Sequence, residues 1–319
     1  MPHRFSLSIV IPVFNGATTI PRLIKELCDL PITGALQIIL VVDRSTDNSS
    51  QICRQLSDES STPISVIDLA KNFGEHNAIL AGLSYADGDH IITMDDDLQN
   101  PVFEIPRVWE YARDNQFDIV YTQYLKKNDP IWRNIGSKFT NWCVEKLQDK
   151  PKGVYLSSFR CISAFLSNVI RSYSGPFPYI DGLILQATDN IGSIVVKHHP
   201  GAKGNSGYTI RKLLHLFASM LFGFSTLPLR IGALAGALFS LVGLFGFAFV
   251  VVETIFFSTP PGWATITSSL FLLAGVQLLI LWLIGEYLGR LFLTINQKPQ
   301  FIVRSVYNNF KLSPEDFDS

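Results

Sequence analysis

Four cysteines in 319 residues are too few for a disulfide framework, and Cys28, Cys53, Cys143 and Cys161 form no Cys-x-x-Cys pair. That spacing offers no thiolate metal cluster and fits reduced, structural thiols. An excess of one charge is also lacking. Lys and Arg number 26 against 27 Asp and Glu, for a net charge of −1, which excludes a nucleic-acid binder held by bulk electrostatics. No signal peptide is expected, because Ser6 to Val13 is too short and opens straight into a strand pattern. There is no internal repeat and no low-complexity tract. Long hydrophobic runs are missing from residues 1–210, so the mean hydropathy of +0.24 owes its excess to Ile231–Ile295.

Two segments there have the length of membrane spans. Ile231 to Phe257 carries only Glu253, and Ile266 to Ile284 carries no charge. At about 1.5 Å per residue they reach about 28–40 Å, against roughly 30 Å of hydrocarbon. The connector Ser258-Thr259-Pro260-Pro261-Gly262-Trp263 breaks a helix and ends on an interfacial aromatic. Arg211, Lys212 and Arg230 precede the pair, Arg290, Lys298 and Arg304 follow it, and the connector has no Lys or Arg. The positive-inside rule then places both ends on the cytoplasmic face. The expected organisation is a catalytic domain over 1–210, a juxtamembrane amphipathic helix over 211–229, two membrane helices within 230–295 (about 231–257 and 266–290), and a cytoplasmic tail over 296–319.

Within the first 210 residues, apolar runs alternate with helical patterns. Leu7–Phe14, Leu36–Asp43, Ile64–Asp68, Ile91–Met94 and Phe117–Tyr121 read as strands, with helices predicted over about 18–30, 47–56 and 75–86. Such alternation predicts an α/β fold with a mostly parallel, Rossmann-like sheet, and these sheets bind ligands beyond their strand C-termini. Asn15, Asp43, Lys71-Asn72 and Asp95–Asp97 all fall at those ends.

Asp95-Asp96-Asp97 follows one strand directly, and Asn100-Pro101 turns the chain away. Crowded carboxylates repel one another unless a cation sits between them, and hard oxygen ligands suit Mg²⁺ or Mn²⁺ shared with substrate phosphates. A solvated acidic turn is the plainer alternative.

Several ordered segments resemble the family-2, GT-A glycosyltransferases, in their polyprenyl-phosphate branch. They are Ile9–Asn15, Asp43 with Ser45-Thr46-Asp47, Lys71-Asn72-Phe73-Gly74, Asp95-x-Asp97-Leu98-Gln99-Asn100-Pro101, Ser158-Phe159-Arg160, Lys203–Tyr208, Phe224–Arg230 and Gly285–Arg290. The Gln-x-x-Arg-Trp motif of processive family-2 synthases is missing, which argues against a polymer-extruding enzyme. The resemblance implies metal-dependent, inverting transfer of one sugar from a nucleotide sugar, by default a uridine nucleotide, to a polyprenyl phosphate for cell-envelope glycan modification. It also implies membrane attachment and a homo-oligomer such as a tetramer.

By the same resemblance, Asp95 and Asp97 are metal ligands, with Asp95 reaching the metal or the ribose. Pro12, Phe14, Asn15, Asp43, Lys71, Asp95 and Asp96 line the donor site, the alternative for Asp43 being a cap of the next turn. Arg133 and Ser137, spaced i,i+4, best match the acceptor-phosphate pair, joined by Arg160, Lys203 and Ser206. Asp97, Arg133 and Asp181 are the catalytic candidates, Asp181 being either a base or a helix cap.

The departures from the family are specific. Val42 and Arg44 stand in the Asp-Asp-Gly-Ser segment, Ser158 stands where many relatives carry aspartate, and Gly16 where glutamate is common. Asp96 occupies a position often filled by a small residue, and either raises metal affinity or faces solvent. Val42, Arg44 and Ser158 motivate a second reading, a catalytically impaired membrane scaffold, and a third reading is a transferase to a different lipid.

Overall fold

The computed structural model describes residues 5–124, 155–175, 178–196, 262–295 and 299–310, together with Leu234 and Phe245. The chain divides into two compact units, Met1–Thr209 with Pro299–Ser319, and Ile210–Lys298.

The first unit is built on an eight-stranded sheet. Its strands are β1 (Phe5–Val13), β2 (Leu36–Val42), β3 (Ile64–Leu69), β4 (Gly88–Thr93), β5 (Ile119–Tyr124), β6 (Arg160–Ser163), β7 (Ile191–Val196) and β8 (Val303–Asn308). The order is β7-β5-β6-β4-β1-β2-β3-β8. β1 pairs in parallel with β2 and β4, and β2 with β3, so these four end on one edge. β6 runs antiparallel between β4 and β5, and β7 lies parallel beside β5.

Helices cover both faces, which is why β1 to β3 are apolar almost throughout. α1 (Ile20–Cys28) buries Ile20, Leu23, Ile24 and Leu27 at i, i+3, i+4 and i+7. These join Leu7, Ile9, Ile11 and Val13 of β1, and Ile105, Val108 and Trp109 of α4 (Ile105–Asp114), in one core. The opposite face takes α3 (Glu75–Leu83). Gly82 lets it approach so closely that a Cβ there would overlap Val10 and lie 3.0 Å from Val41 Cγ2. α2 (Ser49–Glu59), α5 (Ala164–Arg171) and α6 (Ile180–Ala187) complete the layers.

The predicted parallel α/β sheet is present, and three strands were not anticipated. β6 is four residues long and begins with a buried Arg, so no apolar run marks it. β7 alternates weakly. β8 corrects the reading of 296–319 as a tail: it returns to the sheet and pairs antiparallel with β3.

In the second unit, Trp263–Ile295 forms α7, one helix of 33 residues, whose sequence carries no charge before Glu286. Ile266, Leu270, Leu273, Leu281, Ile284 and Leu288 are exposed along it. Counting only described residues, no helix is long and apolar enough to cross a membrane. The expected span at 231–257, apart from Leu234, Phe245 and their helical backbone, and the amphipathic helix at 211–229 lie outside the described residues.

Candidate active site

The parallel strands deliver four loops to one edge, after Val13, Val42, Leu69 and Thr93. The acidic loop follows β4. Met94 N–H still donates to Val10 O at 3.2 Å, and then the chain turns, with Leu98 left-handed at φ 61° and Gln99 N–H closing on Asp97 Oδ1 at 2.9 Å. The successive carboxylates meet different neighbours. Asp95 Oδ2 accepts from Ser158 Oγ at 2.6 Å. Asp96 Oδ2 accepts a long bond from Phe14 N–H at 3.4 Å, so Asp96 turns toward the β1 loop. Burial above all pushes the Asp95 carboxyl up, and the charge of Asp97 adds to this. Bonds from Ser158 and Asn100 and the charge of Arg160 oppose it.

A buried polar cluster lies beneath. Arg160 is 1% exposed, donates through Nε to Thr93 Oγ1 at 3.2 Å, and pairs through Nη1 with Asp181 Oδ1. Tyr121 Oη–H donates to the same Asp181 oxygen at 2.8 Å. Thr93 Oγ1–H donates to Ser158 O at 2.7 Å, which links this cluster to the residue holding Asp95. Two expectations change here. Arg160 is enclosed rather than open to an acceptor phosphate. Asp181 neither caps α6, since the N-cap Tyr179 makes no side-chain cap bond, nor stands as an open base, because Arg160 and Tyr121 already engage it. A buried guanidinium is retained only when paired and hydrogen-bonded, which accounts for the arrangement.

On the donor side, Asp43 is 4% exposed. Its Oδ1 accepts from Phe73 N–H at 2.7 Å, and its Oδ2 from Gly74 N–H at 2.8 Å. Burial pushes Asp43 up, opposed by those two bonds. Gly74 reaches it at φ 90°, a conformation that favours glycine. Asp43 therefore fastens the loop that opens α3 and does not face the pocket alone. Asn15, left-handed at φ 53°, accepts through Oδ1 from Thr46 N–H at 2.9 Å and Thr46 Oγ1 at 3.1 Å. Ser45 Oγ accepts from Asn15 N–H at 3.1 Å, and Asp47 from Ala17 N–H at 3.2 Å. Arg44 is left-handed too, at φ 52°. The loops after β1 and β2 are thus zipped together, with Phe14 47% exposed beside them. Pro12 is held in β1 opposite Val41, and Lys71 lies 4.8 Å over the Phe73 ring.

Glu75 and His76, in the first turn of α3, were not among the predicted site residues. Desolvation, then the carboxylates of Asp95, Asp181 and Asp97, push Glu75 up to about 7 against the pull of Arg160. His76 stacks edge-on against Tyr179 at 5.2 Å, and its Nδ1 has no hydrogen-bond partner. Desolvation brings it down to about 4, with Asp181 opposing. The available signal was two ionisable residues opening a helix that is otherwise buried over Ala78–Leu83.

Among the described residues no group of three or more His, Cys, Asp or Glu side chains gathers as a metal cage. The donor set there is Asp95 and Asp97, two partly buried carboxylates two residues apart. It fits a hard divalent cation that takes one or two protein carboxylates and completes its shell with phosphates and water. Arg133, Ser137, Lys203 and Ser206 lie outside the described residues. The thiols of Cys28, Cys53 and Cys161 are free, and burial, then Asp68, pushes Cys53 up to about 12, leaving it unreactive.

Comparison with known proteins agrees with this geometry. Residues 8–170 match the description "Glycosyl transferase family 2". The chain is 32% identical over 309 residues to undecaprenyl-phosphate 4-deoxy-4-formamido-L-arabinose transferases of Yersinia pestis (strain Pestoides F) and Yersinia pseudotuberculosis serotype O:3, covering 94% of this chain and 93% of each relative. Its fold resembles glucosyl-3-phosphoglycerate synthase from Mycobacterium tuberculosis in complex with Mn²⁺, UDP and glucosyl-3-phosphoglycerate, with a TM-score of 0.50 and 18% identity over 69% of this chain and 78% of the other. A family match across more than half the chain, and a relative alike over nearly all of it, make this protein a member of glycosyl transferase family 2.

Proposed function

We propose that the protein moves one sugar from a nucleotide sugar to the phosphate of a polyprenyl lipid, with inversion at the anomeric carbon. The observation that carries this reading is the pair Asp95 and Asp97 at the sheet edge, in a chain that resembles undecaprenyl-phosphate transferases over 94% of its length. Asp95 and Asp97 would hold Mg²⁺ or Mn²⁺, which supplies Lewis-acid stabilisation of the departing nucleoside diphosphate. Ser158 orients Asp95, and the Arg160–Asp181–Tyr121 cluster supports Ser158 from below. The zipped loops of Phe14–Ala17 and Asp43–Ser49, with Lys71, form the wall for base and ribose. A phosphate monoester has a second pKa near 6 and arrives largely as a dianion at pH 7. A strong general base is therefore unnecessary, which agrees with Asp181 being engaged elsewhere. Arg133, Ser137, Lys203 and Ser206 are assigned to the acceptor phosphate.

The hairpin of 231–257 and α7 brings the enzyme to its lipid. The apolar side chains exposed along α7 recur at spacings of three and four residues over Ile266–Leu273 and again over Leu281–Leu288, as lipid-facing positions do. The flanking Lys and Arg residues support a cytoplasmic position for the catalytic unit.

The test is transfer from a panel of labelled nucleotide sugars to undecaprenyl phosphate in detergent micelles, with Mg²⁺, Mn²⁺ or EDTA. Metal-dependent labelling from one donor is expected, and Asp97→Asn should lower it by about 10²–10³-fold. Full activity in that variant would remove the carboxylate role. Silence across the panel from folded protein would turn the reading toward a membrane-bound scaffold.

A further inference from the structure

Two positions that depart separately from the family pattern, Gly16 and Asp96, share one space. Gly16 is buried, and a Cβ built on it would overlap Asp96 Oδ2, lying 3.2 Å from Asp96 Cγ and 3.3 Å from Ile20 Cγ1. Its φ is not among the positive values, so what glycine offers there is room for the Asp96 carboxylate as it now lies, and not backbone freedom. Around it the turn is tightly determined. Gly16 N–H donates to Ser49 Oγ at 3.0 Å, and Gly16 O accepts from the N–H groups of Thr19 and Ile20 at 3.0 Å. The turn cannot swing aside without breaking these bonds. Asp96 Oδ2 meets the same turn from the other side, accepting from Phe14 N–H at 3.4 Å.

We propose that Asp96 is a positioning residue: its carboxylate fills the volume left open at Gly16 and holds the Phe14–Gly16 turn against the acidic loop, so that a side chain added at 16 displaces that carboxylate from the Phe14 N–H. This deepens the proposed function, because the turn it fixes carries Phe14 and Asn15 of the donor wall. Asp96 then acts on the donor site through the β1 loop, while Asp95 and Asp97 on either side keep their own orientations. The bond to Phe14 N–H needs only an oxygen acceptor, so shape and acceptor capacity matter more than negative charge.

A double-mutant cycle tests it. Gly16→Ala, Asp96→Gly and the double variant are compared in two readouts, the melting temperature of the detergent-solubilised full chain and the donor KM and kcat of sugar transfer. In the native background Gly16→Ala should lower the melting temperature by about 4 °C and raise donor KM about tenfold with a smaller change in kcat. In the Asp96→Gly background the same substitution should cost less than half as much, because contacting residues couple and independent ones add. Equal losses in both backgrounds would overturn the proposal. Asp96→Asn, which keeps an oxygen acceptor, should retain more activity than Asp96→Gly and leave the half-saturating Mn²⁺ concentration in place. Equal damage from both, with that concentration raised, would make Asp96 a metal ligand and overturn the positioning role. The melting cycle needs no substrate, so it decides the matter even if no donor is ever transferred.

Discussion

His76 enters α3 with its ring edge against Tyr179 and its Nδ1 without a partner, and burial makes the neutral form the one the fold prefers. Its folded pKa of about 4 lies below the ordinary 6.5. Between those values the unfolded chain binds a proton that the native state does not, so stability falls as pH drops from 6.5 and levels off below 4. The full shift corresponds to at most about 3 kcal/mol. His76→Phe keeps the ring contact without the proton, and denaturant titrations of both proteins should diverge across that window and run parallel above pH 7. Asn15, Asp43, Asp95 and Asp97 were legible as residues at strand ends, because an apolar run followed by polar turn residues marks the edge of a buried sheet. Roles that depend on a partner far along the chain were not legible. Arg160 and Asp181 read as surface chemistry because nothing local announces that each buries the other, with Tyr121 closing the cluster. Asp43 fell between these cases: its place at the sheet edge was legible, and its hold on the Phe73–Gly74 backbone was not.

β8 shows the same limit at the level of elements. β1 to β4 were legible because strands buried on both faces are apolar runs bounded by turns. Val303–Asn308 carries neither an apolar run nor a regular alternation, lies at the sheet's edge and follows the hydrophobic segments, so it read as tail. Its attachment is specific. Asp68 accepts from Ser50 Oγ at 2.6 Å and Ser305 Oγ at 3.1 Å and pairs with Arg54, while Tyr307 bonds Asp58. Asn309 receives Ile64 N–H at 2.8 Å and donates to the carbonyls of Ser57 at 2.9 Å, Ser60 at 3.1 Å and Thr62 at 3.0 Å. Asn309→Ala strands those groups at once and should cost about 1–3 kcal/mol. The check is the urea midpoint of the purified chain, together with proteolysis near residue 310, which should accelerate.

For the whole molecule, the hairpin reading makes a topological prediction. A cysteine placed at Thr259, in the connector, should react with an impermeant maleimide added outside intact cells, and one placed at Asp58 should react only after lysis. Reversed labelling would invert the orientation drawn from the flanking Lys and Arg residues. Beyond topology, the return of β8 to β3 governs the order in which the protein can be made. Translation delivers β1 to β7 early, the apolar segments next, and residues 303–308 last. Throughout that interval β3 presents an unpaired edge, the kind of surface that templates aggregation. Until residues 303–308 are made, that edge is open to pairing with other chains. A chain whose synthesis stops before residue 303 lacks the strand that covers β3, so the sheet is finished only after the apolar segments have been made.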